Sequence, residues 1–98
     1  MDSWEFWTDT LEGFAEADKS DALAAAFAQN DYENYRITVH SIKSAAKTIG
    51  ADALSEQARA LEFAARDGDY GFISAHHAEL FEAYQALLRA IERILKHE

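Results

Sequence analysis

The chain has 98 residues, a formal net charge of −9 and no cysteine or proline, a size that fits one domain over residues 1–98. The absence of cysteine excludes disulfides and thiolate metal sites, and the negative balance opposes nucleic acid and anionic membrane surfaces. No apolar run approaches the roughly 20 residues that span a bilayer, and Met1-Asp2-Ser3-Trp4-Glu5 lacks a signal pattern, so a cytoplasmic location is expected.

Trp4, Trp7, Leu11 and Phe14 recur at helical spacing and predict a short first helix. The polar stretch Asp18-Lys19-Ser20-Asp21 breaks that register, and Leu23 and Phe27 mark a second helix. One bent helix is the alternative. Trp4 and Trp7 read as bundle packing, and Asp2, Glu5, Asp9, Glu12, Glu16, Asp18 and Asp21 as a solvated acidic face.

Asn30 or Asp31 can cap a third helix that runs to about Ile49, with Gly50 as its stop. Asp52 or Ser55 then opens a fourth, with Leu54, Ala58, Leu61 and Ala65 facing inward. Asp67-Gly68-Asp69 closes it, and Asp69 caps a long last helix. Ile73, Leu80, Tyr84, Leu87, Leu88, Ile91 and Leu95 form the apolar stripe of that helix. Helices joined by short connections predict an all-α fold, an antiparallel four-helix bundle with a short additional N-terminal helix.

The third helix holds the chemistry. At about 100° per residue, Tyr35, Thr38, Ile42, Ala45 and Ile49 fall opposite His40, with Val39 and Ala46 as flanks. Arg36, His40, Lys43, Ser44 and Lys47 share the outer face, with Ile37 at its edge. Three of the chain's nine basic side chains thus surround one exposed imidazole. A neutral imidazole keeps a free ring nitrogen as nucleophile, and Lys43, one turn on, can reach anionic oxygens on it. Ser44 leaves room for another protein, and Ile37 offers it an apolar contact. On periodicity alone, a solvated face with a chance histidine explains the pattern as well.

The segment His40-Ser41-Ile42-Lys43-Ser44-Ala45-Ala46-Lys47-Thr48-Ile49-Gly50-Ala51 resembles the signature of histidine phosphotransfer (HPt) domains. So do the approach Asn30-Asp31-Tyr32-Glu33-Asn34-Tyr35 and the continuation through Leu54, Ala58, Leu61-Glu62 and Ala64-Ala65-Arg66-Asp67-Gly68-Asp69. The resemblance covers roughly residues 27–95 and implies a phosphorelay carrier. It implies His40 as phospho-acceptor and Lys43 as the group that steadies the phosphoryl. Arg36, Ile37, Ser44 and Lys47 become partner-docking residues, Ser44 standing where the family often has glycine. Gly50 closes the helix.

The partners implied are response-regulator receiver domains and a hybrid sensor histidine kinase, of which this chain could be a module. No cofactor of its own is expected, the Mg²⁺ coming from the receiver. There is no Gly-rich phosphate loop for ATP, and a monomer without direct membrane contact is the default.

Two other readings compete: a non-catalytic adaptor that docks a response regulator, and a metal-binding bundle. The second is weak. Adjacent His76 and His77 diverge by about 100° and cannot share one ion. The chain also lacks any Glu-x-x-His element. Partial burial or surface packing explains both histidines better, and His97 suits the negative end of the last helix.

Overall fold

The computed structural model describes the backbone of residues 3–96 and the side chains of residues 9–96. It contains five helices: α1 (Ser3–Glu16), α2 (Ser20–Ala28), α3 (Tyr32–Thr48), α4 (Asp52–Asp67) and α5 (Tyr70–Lys96). No strand occurs among the described residues, and no helix there is long and apolar enough to cross a membrane.

Local chemistry sets the breaks. The first two helices are separate, not one bent rod, because the linker's backbone donors find side-chain acceptors. Ser20 N–H donates to Asp18 Oδ1 at 2.8 Å, and Lys19 N–H to the Tyr84 hydroxyl at 2.8 Å. The nine-residue α2 is the shorter of the pair. Asn30 closes it by taking a left-handed φ of 55°, which asparagine tolerates better than most residues. Asp31, rather than Asn30, caps α3 by accepting from Asn34 N–H at 3.3 Å. Gly50 (φ 82°) and Gly68 (φ 75°) turn the chain after α3 and α4 in conformations that cost a Cβ-bearing residue energy. Asp52 opens α4, and Ser55 lies inside it, donating to the Lys43 carbonyl at 3.1 Å. Asp69 caps α5 by accepting from Phe72 N–H at 3.2 Å.

The helices pack as an antiparallel bundle with extents of 46 × 19 × 18 Å, and the 27-residue α5 runs most of its length, about 40 Å. Along α5 the expected stripe is buried at Ile73, Leu80, Tyr84, Leu88 and Ile91, with Leu87 and Leu95 at its margin. On α4, Leu54, Ala58 and Leu61 face inward as expected. Ala64 takes the fourth inward place, and Ala65 packs only partly buried beside it.

The core line of α3 departs further from the helical-wheel expectation. Val39 and Ala46, placed as flanks, are fully buried, whereas Thr38, Ala45 and Ile49 are only partly covered. The inward line of α3 is thus rotated toward the side where His40 and Lys43 meet Glu62 of α4. That rotation also carries one edge of the polar face of α3 against α4. Leu11 and Phe14 anchor α1, Phe14 meeting Tyr84 edge-on with centroids 5.9 Å apart. Asp9, Glu12, Glu16, Asp18 and Asp21 are exposed. The side chains of Trp4, Trp7, Asp2 and Glu5 lie outside the described residues, as does His97.

Candidate functional site

His40 stands midway along α3 with its side chain 56% exposed. Its Nδ1 lies 2.7 Å from Oε2 of Glu62, which reaches across from α4. The other carboxylate oxygen, Oε1, accepts from Lys43 Nζ at 2.6 Å. One carboxylate therefore holds both the imidazole and the lysine one turn beyond it. Burial pushes the Glu62 carboxyl up, but hydrogen bonds from Lys43 and His40, with their charges, outweigh it and bring the pKa below the ordinary value.

Ionised Glu62 can only accept, so the hydrogen in its contact with His40 sits on Nδ1. In the neutral ring Nε2 then carries the free lone pair, and it makes no hydrogen bond among the described residues. The carboxylate fixes the tautomer and ring orientation that a nucleophile needs. Ser55, buried in α4, ties the Lys43 carbonyl to the same helix, so both sides of the ion-paired cluster are anchored.

An open cleft of about 520 Å³ adjoins this cluster between α3 and α4. His40, Lys43, Ser44 and Lys47 line it from α3, and Asp52, Ser55, Glu56 and Arg59 from α4. Four of the residues singled out in the sequence thus meet at one surface. Arg36 and Ile37 do not line the cleft. Arg36 is partly buried earlier on α3, and Ile37 is 51% exposed on the side away from α4.

Glu62 and Arg59 were not assigned site roles from sequence, although Glu62 belongs to the quoted family resemblance. Hairpin arithmetic could have found Glu62. His40 lies ten residues before Gly50 and Glu62 eleven after Ala51, so an antiparallel α3–α4 pair sets them at one height.

The remaining histidines have other surroundings. His77 is 9% exposed, stacks on Phe27 with centroids 3.8 Å apart, and has its Nδ1 2.8 Å from the Tyr35 hydroxyl. Burial lowers its pKa and keeps the Tyr35 phenol protonated, so the hydrogen bond joins two neutral groups. His76 is exposed, 3.5 Å from Glu79 on its own helix, and rests against Phe72. No cluster of three or more metal-ligating side chains occurs among the described residues.

The described helices thus set one oriented imidazole on an open face lined by Lys43, Lys47 and Arg59. The family model of the Hpt domain matches residues 14–96, and the chain belongs to that family. Domains of this family act in phosphorelays, where they meet receiver domains. Comparison with curated proteins and with solved structures finds no match.

Proposed function

We propose that this domain carries a phosphoryl group on Nε2 of His40, accepting it from the phospho-aspartate of one receiver domain and passing it to another. The observation that supports this most is the carboxylate of Glu62 on Nδ1 of a ring that is 56% exposed. In the forward step, the Nε2 lone pair attacks phosphorus in line, the new N–P bond forms, and the acyl O–P bond breaks. The aspartate leaves as a carboxylate. Nδ1 keeps its proton, so the phosphorylated ring is cationic, and Glu62 offsets that charge at 2.7 Å.

Lys43 then shares its ammonium between Glu62 and the incoming oxygens, with Lys47 further along the same cleft. Ser44 keeps that surface low enough for a second protein, and Arg36 and Ile37 extend the docking face. The metal charge comes from the receiver's own Mg²⁺, and the domain needs no nucleotide. A hybrid sensor histidine kinase fits as the upstream source, in the cytoplasm, with the domain acting as a monomer.

The test mixes the chain with receiver domains phosphorylated on aspartate in Mg²⁺ and maps label by mass spectrometry at neutral to alkaline pH. Label on His40, absent from His40→Gln, is the expected result. Receivers that bind the chain yet label no histidine would overturn the carrier reading in favour of a docking adaptor.

A further inference from the structure

Beside the phosphotransfer cleft, α4 carries a stripe with no role in the chemistry above. Arg59, Phe63 and Arg66 follow one another at helical spacing of four and three residues. The Arg59 guanidinium carbon lies 5.1 Å from the Phe63 ring centroid and that of Arg66 lies 4.6 Å from it. Two cations thus clasp one ring that is itself 37% exposed. Their other partners hold them weakly: Glu56 lies 3.7 Å from Arg59, and Arg66 meets its sequence neighbour Asp67, all four side chains being at least half exposed. Stacking therefore does much of the positioning.

Three observations give the stripe an occupant. First, it is continuous with the cleft, because Arg59 lines from α4 the same cleft that His40, Lys43 and Lys47 line from α3. Second, the acidic excess lies elsewhere: residues 1–31 carry eight carboxylates and one lysine, whereas on α3 and α4 the five basic residues Arg36, Lys43, Lys47, Arg59 and Arg66 balance five carboxylates. Third, the partner's chemistry is known in outline. A protein surface that holds a phospho-aspartate beside Mg²⁺ must surround it with oxygen ligands, chiefly carboxylates. Such a surface is repelled by the acidic residues 1–31 and meets the guanidinium groups of Arg59 and Arg66 here. Arginine and aromatic side chains, pre-positioned by stacking, also suit the core of an interface because little side-chain freedom is lost on docking.

We propose that the receiver domain docks across α4 as well as α3, with the Arg59–Phe63–Arg66 stripe gripping the acidic rim of its phospho-aspartate site and setting its affinity. This rests on the carrier reading of His40. The stripe acts on encounter and hold, and leaves the bond-making step to His40, Glu62 and Lys43.

The test uses a receiver domain that labels the wild-type chain, with the transfer rate followed against receiver concentration at low and high salt. Arg59→Glu combined with Arg66→Glu should raise KM by about tenfold or more, leave kcat unchanged and flatten the salt dependence. Phe63→Leu, which keeps the helix and removes the stacking platform, should raise KM by about threefold. Circular dichroism checks that each variant folds. An unchanged KM in both variants, with His40 still labelled in the wild type, would overturn the docking role and leave the carrier reading standing. A fall in kcat at unchanged KM would overturn it too, by moving the stripe into the chemistry. Absence of label on wild-type His40 from every receiver would remove the carrier reading and this proposal together.

Discussion

Two histidines on neighbouring helices, His40 and His77, each have Nδ1 held by an oxygen, at 2.7 and 2.8 Å, and otherwise differ in every respect that matters. His40 meets a carboxylate at the surface of the α3–α4 seam. His77 meets a phenol inside the bundle, stacked on Phe27 and out of reach of solvent. A carboxylate can only accept, so it puts the proton on Nδ1 and frees Nε2. His77 instead shares a hydrogen bond with a neutral phenol, and burial disfavours positive charge on its ring. The same residue thereby keeps an exposed, free Nε2 in one place and becomes a core staple in the other. Sequence position alone does not separate them; the partner on Nδ1 and the exposure of the ring do.

The sharpest way to break this contrast is to exchange the losses. His40→Gln should abolish phosphoryl acceptance outright while leaving the unfolding midpoint within about half a kcal/mol of wild type, as expected for an exposed side chain. Labelling of the chain by a phosphorylated receiver, beside a urea titration, checks both halves. Next in size is Glu62→Gln, which keeps an acceptor for the Nδ1–H and removes the negative charge. Transfer should slow by roughly tenfold to a hundredfold, the equivalent of about 1.4–3 kcal/mol at the transition state. Stopped mixing with a saturating receiver reads it, and a rate equal to wild type would reduce Glu62 to a structural tie between α3 and α4.

The fold was largely legible because helix punctuation here is chemical. Asp31, Gly50, Gly68 and Asp69 announce their ends, and the α5 stripe from Ile73 to Ile91 has the period of a buried helix face. That His40 and Lys43 share one face of α3 was legible too, since a helical wheel needs only one helix. The wheel misjudged the core side of α3 because it cannot know that neighbouring helices would cover Val39 and Ala46. Glu62 and Arg59 escaped for the same reason. Their roles depend on which helix lies beside α3 and at what height, and a tertiary contact between two segments has no period in either one. His77 was read as partly buried or surface-packed, and its phenol partner lies 42 residues away.

The interior member of the pair should show itself in stability. Tyr35→Phe leaves Nδ1 of His77 without its hydrogen-bond partner inside the bundle and should cost about 1–3 kcal/mol, with transfer per folded molecule unchanged. The pH dependence follows from the direction of the shift. His77 has a folded pKa below its unfolded value of about 6.5, so between the two the unfolded chain binds the proton and the native chain does not. Its contribution is complete above about pH 6.5 and declines as pH falls toward the folded value. Glu62, also lowered, contributes above its ordinary value of 4.5 and is lost below it, so the two regions fail in separate windows. Urea midpoints at pH 7.5 and 5.5 should differ more for wild type than for His77→Phe. Equal differences would mean that His77 titrates as it does in the unfolded chain.

The smallest expected effect asks whether the two regions are coupled through the helix they share. Tyr35, His40 and Lys43 all ride on α3, and Asp31 begins that helix by accepting from the Asn34 backbone at 3.3 Å and the Asn34 amide at 2.6 Å. Asp31→Ala removes the cap and should cost about 1 kcal/mol, fraying the first turn. Tyr35 lies just past that turn and is pinned from α5 by His77, whereas His40 lies a turn and more further on and is pinned from α4 by Glu62. Two independent pins predict that fraying stops before His40. Stability should fall while the rate of transfer at saturating receiver stays within about twofold of wild type, since no group at the phosphoryl-accepting ring has moved. A rate that drops in step with stability would show instead that α3 carries strain from its cap to His40, and that the buried and exposed histidines are set by one rod rather than by their separate partners.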